Sequence, residues 1–197
     1  MDKRINNPLG DFYETPAWAI ESLCERVKFH KNIWEPSFGR GAISRVLMKE
    51  GYNVKSTDLH DQGGEKLDCN GKPIEYQELD FLQCYPDLFP SNDLVGRYDI
   101  ITNPPFNLMN DFIIQAGKLC NDKFAFLGRM ALLEGKYRYN NIYSQDLRCN
   151  LETVLVATKR VNFVSPTITV KSSSNAMAMA WFVFKKDYKG HPKIDWF

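Results

Sequence analysis

The feature that most constrains the fold is a short apolar strand followed by a glycine-containing turn, a helix and a second strand. The first strand is predicted over 32–35, the turn over 36–41, the helix over 42–50 and the second strand over 53–57. Gly51 can end the helix as its C-terminal cap. A strand–helix–strand unit of about 30 residues is typical of the βαβ element, whose two strands are parallel.

Apolar runs and helical patterns continue to alternate through the rest of the sequence. Helices are predicted over 15–29, with Thr15 as the N-terminal cap and Pro16 in the first turn, and over 108–120. The tail after Lys185 is short and polar, and further strands are predicted over 74–81, 98–102, 124–132, 151–157 and 176–184. This alternation indicates an α/β domain with a largely parallel sheet.

Length and composition fit a single globular domain. The chain has 197 residues, of which 44% are hydrophobic and 25% are charged, and these values are ordinary for such a domain. No stretch approaches the roughly 18 apolar residues of a membrane span, and residues 1–7 lack the apolar core of a signal peptide. We expect one domain over 1–197, located in the cytoplasm, with no membrane partner.

The five cysteines, at positions 24, 69, 84, 120 and 149, are scattered along the chain. They form no Cys-x-x-Cys motif and no cluster with histidine, which are the patterns typical of zinc sites and redox centres. Scattered cysteines in a cytoplasmic chain indicate reduced and mostly buried thiols. We therefore expect no bound metal and no disulfide framework.

The charges are unevenly distributed along the chain. Residues 1–122 contain 13 Lys and Arg and 19 Asp and Glu, a balance of −6, whereas residues 123–197 contain 12 and 5, a balance of +7. A polyanion would approach the second part rather than the first, because Lys and Arg attract phosphate groups. A solvated basic face is the alternative interpretation of the same charges.

Gly39 and Gly41 lie between the first strand and its helix, where glycine permits a sharp turn and close contact between the main chain and a ligand. The third glycine of a dinucleotide-binding turn is absent, and the chain has no GxxxxGK[ST] phosphate loop. Asp58 follows the second strand, where a carboxylate can accept both hydroxyls of a ribose. Glu35 ends the first strand, and its carboxylate would suit a cationic amino group. These residues predict a nucleoside-type ligand; the alternative is that both acids are ordinary loop residues.

A second constrained segment, Asn103-Pro104-Pro105-Phe106, follows the predicted strand 98–102. The Asn103 side chain offers a carbonyl acceptor, and the Pro104 carbonyl offers a second. Two acceptors that converge on one NH2 group would hold its hydrogens and orient its lone pair, which is catalysis by positioning and local electrostatics. Phe106 supplies a flat face on which a base taken out of a nucleic acid helix can stack. The alternative is a rigid turn with a core aromatic.

With these motifs the chain resembles the class I S-adenosylmethionine-dependent amino-methyltransferases, and within them the DNA adenine-N6 group. Residues 35–41 are similar to the cofactor motif of the family, 103–106 to its catalytic [DNS]PP[YFW] motif, and 13–16 to its N-terminal motif. The resemblance implies that Asn103, Pro104, Pro105 and Phe106 are catalytic. It also implies that S-adenosylmethionine is bound by Tyr13, Thr15, Pro16, Glu35, Pro36, Phe38, Gly39, Gly41, Asp58, Asp80 and Phe81.

The resemblance further implies a Rossmann-like fold, with a mostly parallel seven-stranded sheet, one antiparallel strand and helices on both faces. The order of the motifs is similar to the gamma arrangement, in which a target-recognition domain follows the catalytic domain. Only a few residues follow the last predicted strand here, so we expect no separate recognition domain. Small phage and prophage adenine methyltransferases, which act in bacterial or infected cells, look like this.

Substrate recognition would then fall to loops, to a homodimer or to a partner protein. By elimination the candidate loops are 133–148 and 161–176, and their candidate nucleic acid contacts are Lys136, Arg138, Arg148 and Lys171. DNA is the leading polymer because of the family resemblance. Alternatives that share the catalytic motif are adenine N6 or guanine N2 in RNA, cytosine N4, and glutamine side chains in proteins. A non-catalytic binding protein with the same fold is the alternative from a different class.

Overall fold

The computed structural model describes residues 14–85, 96–143, 149–162 and 177–197. Within these ranges the strands form one eight-stranded sheet in the order β3-β2-β1-β4-β5-β7-β6-β8. They are β1 Asn32–Glu35, β2 Asn53–Asp58, β3 Glu75–Glu78, β4 Asp99–Thr102, β5 Lys123–Arg129, β6 Cys149–Val156, β7 Met179–Lys186 and β8 Lys193–Trp196. The main helices are α1 Ala17–Arg26, α2 Ala42–Lys49 and α3 Met109–Leu119.

The α/β fold with a largely parallel sheet is confirmed. Strand β7 is the one antiparallel strand, because it runs opposite to both β5 and β6 while the other pairs are parallel. The sheet has eight strands, so the prediction of seven is wrong by one. The additional strand, β8, pairs with β6 from Lys193 to Trp196. The sequence predicts a polar tail here, because two of the four residues are charged and four positions are too few to establish an alternating pattern.

Two strands end earlier than the sequence pattern predicts. The strand predicted over 124–132 ends at Arg129, because a 3₁₀ turn over Met130–Leu133 replaces it. The strand predicted over 74–81 is reduced to Glu75–Glu78. In both segments the apolar residues continue past the strand into a turn, so apolar composition alone could not locate the end.

Helix α1 is shorter than the predicted helix 15–29. It begins after Pro16, whose backbone is extended (φ −67°, ψ 140°), and its N-terminal position has no side-chain cap. Thr15 is therefore not the cap, and this prediction is wrong. The steric effect of a proline ring disfavours helical geometry in the residue before it, which keeps Thr15 outside the helix.

The sheet is buried on both faces, as expected for parallel strands between helices. Along β5, Phe124 and Phe126 face the cluster that includes α3, whereas Ala125 and Leu127 face the cluster that includes α1 and α2. Helices on both faces are thereby confirmed. The sheet lies between these helices as a rigid layer, and it therefore fixes the positions at which its strands end.

Asp99 is a fully buried carboxylate at the opposite edge of the sheet from those strand ends. Its oxygens accept three backbone N–H groups, from His30 at 2.7 Å, Asp122 at 3.0 Å and Lys123 at 2.9 Å. The carboxylate therefore joins the beginnings of β4 and β5 to the segment before β1. Buried polar groups of this kind are stable only when they are hydrogen-bonded.

Replacing Asp99 with alanine is expected to lower the free energy of unfolding by about 3 kcal/mol, because three backbone N–H groups lose a charged, buried acceptor. Urea denaturation followed by circular dichroism measures the change. The matched control is Asp111→Ala, which removes an exposed carboxylate in the first turn of α3. Equal stability of the two variants would contradict the proposed role of Asp99.

At the outer edge of β8, the backbone of Trp196 is bonded to side chains of the same protein. The backbone N–H of Trp196 donates to Asp195 Oδ1 at 2.8 Å, and its carbonyl accepts from Arg26 Nε at 3.0 Å. Phe197 faces the other way and bonds to Val156 and Thr158. The side chains of Ile194 and Trp196 are exposed although the Trp196 backbone is bonded.

The cysteines lie mostly in the interior of the domain. Cys84, Cys120 and Cys149 are buried, Cys24 is half-buried and Cys69 is exposed, so the prediction of mostly buried thiols is confirmed. No helix in the described ranges combines the length and the apolar character needed to cross a membrane.

Candidate active site

The carboxyl ends of the parallel strands meet at one edge of the sheet, and four polar residues lie there. Glu35 ends β1, Asp58 ends β2, Asn103 directly follows β4 and Arg129 ends β5. Strand β1 has β2 on one side and β4 on the other, so the winding of the chain reverses between β1 and β4. Ligands of doubly wound sheets bind in the crevice at such a switch point. The glycine turn and the Asn103 segment flank this crevice.

The glycine turn is held by its own backbone and by β2. Gly39 and Gly41 have φ angles of 57° and 82°, which L side chains rarely adopt. The Phe38 N–H donates to the Thr57 carbonyl at 3.0 Å, and the Gly41 N–H donates to the Phe38 carbonyl at 2.7 Å. A Cβ at Gly41 would lie 2.7 Å from the Phe38 ring. The turn therefore needs glycine at position 41 for both its backbone and its packing.

Gly41→Ala is expected to destabilise the protein by about 1–3 kcal/mol through backbone strain, with a further cost from the contact with Phe38. It should also abolish cofactor binding, because the turn must shift. Gly71→Ala is the matched control, since Gly71 also has a positive φ (76°) but has open space around it. Thermal denaturation and calorimetry with S-adenosylmethionine measure the two effects. Equal behaviour of the variants would contradict this role of the turn.

Asp58 joins the second strand to the glycine turn. Its Oδ2 accepts the Gly39 N–H at 2.8 Å, and its Oδ1 accepts the His60 N–H at 3.4 Å. Burial raises the pKa of the Asp58 carboxyl, against the opposing effect of these hydrogen bonds. The side chain remains partly exposed, so it can still accept from a ligand at the crevice.

Glu35 lies beneath the turn and is almost completely buried, with 1% of its surface exposed. It accepts a short hydrogen bond from the Ser44 hydroxyl, which lies 2.6 Å from the Ser56 hydroxyl. Burial raises the pKa of Glu35 well above its ordinary value, while the Ser44 hydrogen bond lowers it. In this arrangement Glu35 supports the turn from inside, and its contact with a ligand amino group stays a prediction.

The remaining predicted cofactor residues have different environments. Phe38 is buried and packs against Tyr76, with 5.0 Å between ring centroids. Phe81 is buried between Trp34 and Phe112, so its ring belongs to the core. Asp80 caps the 3₁₀ turn after β3 by accepting the Leu82 N–H.

Three other predicted cofactor residues lie just before or just after a helix or strand. Pro36 is buried at the start of the glycine turn, and Thr15 and Pro16 precede α1, where Thr15 is buried. Tyr13 lies outside the described residues. The direct contacts of all these residues with a cofactor stay predictions.

The Asn103 segment presents two carbonyl acceptors. Asn103 Oδ1 is buried, and the described residues provide it with no hydrogen-bond partner. The Pro105 carbonyl accepts the Leu108 N–H at 2.9 Å. No N–H or hydroxyl of the described residues donates to the Pro104 carbonyl. The segment thus leaves its first two acceptors available, as the sequence predicts, and uses the third to begin a 3₁₀ turn.

Phe106 lies at the same edge, half-buried between the two core clusters. The guanidinium carbon of Arg129 lies over its ring, 4.5 Å from the centroid. One face of the aromatic ring that follows the two acceptors is therefore in contact with a cation supplied by the end of β5.

The basic residues proposed for substrate contact differ in their surroundings. Lys136 is exposed in the helical turn after β5. Arg138 instead donates to Asn110 Oδ1 at 3.0 Å and to the carbonyls of Ala131 and Glu134 at 2.9 Å each. Arg138 therefore holds its own loop against α3. Arg148 and Lys171 lie outside the described residues.

Two residues of the site had no signal that sequence patterns could detect. Tyr76 on β3 has a buried hydroxyl without a hydrogen-bond partner in the described residues. Burial, and then the nearby Asp58 carboxylate, raise the pKa of that hydroxyl, which makes Tyr76 a further candidate contact for a ligand. Arg129 fell inside a predicted strand that continued to residue 132, so its position at a strand end was hidden.

Comparison with known proteins identifies the class of fold. No family model matches the sequence, and no curated protein matches it. A predicted O-methyltransferase from Agrobacterium tumefaciens has a TM-score of 0.59 at 14% identity, with 92% of this chain and 84% of that chain covered. Magnesium protoporphyrin IX methyltransferase from Synechocystis PCC 6803, solved with bound SAM, has a TM-score of 0.52 at 12% identity, with 86% and 75% covered. A protein from Pyrococcus horikoshii, provisionally named an RNA methyltransferase, has a TM-score of 0.53 at 13% identity, with 86% and 80% covered.

The chain therefore has the Rossmann-like fold of the class I S-adenosylmethionine-dependent methyltransferases. Identities of 12–14% relate the chains by fold alone. The residues at the switch point fit that cofactor: Asp58 offers carboxylate acceptors, and the buried Tyr76 hydroxyl has no hydrogen-bond partner among the described residues. Within the described ranges no cluster of His, Cys, Asp and Glu could hold a metal ion.

Proposed function

We propose that the chain transfers a methyl group from S-adenosylmethionine to an exocyclic amino group, with adenine N6 in DNA as the substrate. The observation that carries the proposal is the pair of acceptors at Asn103 Oδ1 and the Pro104 carbonyl, for which the described residues supply no donor. A buried acceptor without a donor costs about 1–3 kcal/mol. A substrate NH2 group would satisfy both acceptors at once.

The chemistry needs no strong base. S-adenosylmethionine, when bound, supplies a methyl group on a positively charged sulfur. Asn103 Oδ1 and the Pro104 carbonyl hold the two amino hydrogens and so direct the nitrogen lone pair away from themselves. The nitrogen gains positive charge as it gains the methyl group, and the same two oxygens stabilise that charge. One N–H proton then leaves to solvent.

Several features support a base in a nucleic acid as the carrier of the amine. Phe106 adjoins the acceptors, and an aromatic ring there can stack on a base turned out of its helix. Residues 123–197, which include β5 and the exposed Lys136, have the balance of +7. The choice of DNA over RNA rests on the resemblance of 103–106 and 35–41 to the DNA adenine-N6 group.

The cofactor contacts belong to the same proposal. The glycine turn and Asp58 would hold the nucleoside part, with Asp80 and Phe81 beside its adenine, and Thr15 and Pro16 at the methionine end. We further propose a cytoplasmic location, and a homodimer or partner protein that helps to select the target.

The deciding experiment supplies tritiated S-adenosylmethionine with unmethylated and fully methylated DNA, with RNA and with protein. Digestion to nucleosides then identifies the labelled product. Label in N6-methyl-2′-deoxyadenosine from unmethylated DNA, with little in methylated DNA, is the expected result. Label in RNA or in a protein side chain would contradict DNA as the substrate and would identify that polymer as the substrate instead. Cofactor binding without transfer to any of them would contradict an enzymatic role.

A further inference from the structure

Arg129 is the last residue of β5, and its side chain lies over the Phe106 ring of the candidate active site. Its backbone is fixed by pairing with Met179 of β7. The preceding Gly128 is packed closely enough that an added Cβ would lie 3.1 Å from Met109. The side chain is exposed, with its guanidinium over the Phe106 ring. A rigid strand thus places a cation at the same edge of the sheet as the two acceptors.

Among the described residues, no acid neutralises the charge of Arg129. Within the described ranges its guanidinium has the Phe106 ring as its contact and no carboxylate within 4.0 Å. Arg138 differs, because three oxygen acceptors bind its guanidinium. Stacking on an aromatic face leaves the N–H groups at the rim of a guanidinium free to bind an anion in the ring plane.

We propose that Arg129 is a substrate-binding residue that contacts the backbone phosphate beside the target nucleotide. The proposal deepens the proposed function and rests on it. A base stacked at Phe106 would carry its own phosphate close to the guanidinium, which binds phosphate oxygens through two parallel N–H groups. Arg129 would therefore select an amine that is part of a polyanion and disfavour the uncharged surroundings of a glutamine side chain.

The first test measures DNA binding without catalysis. Equilibrium binding of an oligonucleotide is measured from low to high salt for the wild type, Arg129→Gln and Lys123→Gln. Arg129→Gln is expected to reduce the slope of log affinity against log salt by about 0.9, the change for one lost phosphate contact. Lys123→Gln is the control, because Lys123 lies at the opposite end of β5. A third variant, Arg129→Lys, keeps the charge and should therefore keep the slope. It separates loss of the charge from any effect of the substitution on thermal stability.

The second test separates phosphate contact from support of the Phe106 ring. Methyl transfer is measured on DNA with a neutral methylphosphonate at each position next to the target in turn. Arg129→Gln is expected to raise KM about tenfold on ordinary DNA, as for one charge-assisted hydrogen bond, but to change nothing on the DNA whose contacted phosphate is neutral. An equal loss on all substrates would overturn the proposal, since Arg129 would then merely hold the ring. An unchanged salt slope in the binding test would overturn it too, even if no methyl transfer were found.

Discussion

Asn103→Ala is expected to reduce methyl transfer about 10²- to 10³-fold, the loss observed when one group that stabilises developing charge is removed. The side chain lies directly after β4 and its Oδ1 is buried without a donor from the described residues. Alanine removes one of the two acceptors and leaves the Pro104 carbonyl unchanged. The amine would then be held by one hydrogen only. The rate of single-turnover methyl transfer is the measurement.

Asn103→Asp is the conservative partner of that variant. Aspartate keeps an oxygen acceptor at the same position, so it should retain more activity than alanine. Calorimetric affinity for S-adenosylmethionine should be unchanged in both variants, because the glycine turn and Asp58 lie on the other side of the switch point. Full activity of Asn103→Ala would exclude Asn103 from the reaction, and loss of cofactor binding would indicate damage to the fold.

Asp58→Asn is expected to weaken S-adenosylmethionine binding about 10- to 100-fold, the equivalent of losing a hydrogen bond to a charged group. The substitution removes the charge that would accept the ribose hydroxyls and weakens the bond to the Gly39 N–H. Asp61→Asn is the matched control, since Asp61 is an exposed acid in the next loop, paired with Lys66 at 2.7 Å. Equal affinities for the two variants would contradict the ribose assignment.

The pH dependence of binding gives the same residue a second test. Burial raises the pKa of Asp58 above its ordinary value, and a protonated carboxyl is a poorer acceptor. Affinity of the wild type should therefore fall as the pH falls through that raised pKa, and Asp58→Asn should lack this fall. The stability of the unliganded protein should change in the opposite direction, because a group that binds its proton more tightly when folded stabilises the fold as the pH falls.

Some residues of the site could be predicted because they directly follow an apolar strand. Both the type of such a residue and its distance from the strand can be read from the local sequence. Gly41, Asp58 and Asn103 each follow an apolar strand directly, and parallel strands bring their carboxyl ends to one edge. Their placement together is a consequence of the α/β pattern. Their contacts with a cofactor or substrate remain predictions, because such contacts depend on molecules that the chain alone does not include.

The parts that could not be predicted depend on long-range contacts. Asp99 is satisfied by three N–H groups from segments 23 to 69 residues away, and no local pattern marks it as buried. The charge of Arg138 predicts a substrate contact, which stays a prediction, but not its hydrogen bonds to acceptors on α3 and in its own loop. Arg129 and Phe106 are 23 positions apart and become neighbours only through the pairing of β4 with β5.

The bonded edge of β8 has a consequence for association between copies of this protein. An exposed edge strand is a template for strand addition, and native proteins avoid this with charged side chains and short edge strands. At Trp196 both backbone groups are already bound, by Asp195 and Arg26. A second chain would have to displace both bonds before it could extend the sheet there. The exposed indole of Trp196 therefore stands on a part of the edge where strand addition by a second copy is disfavoured.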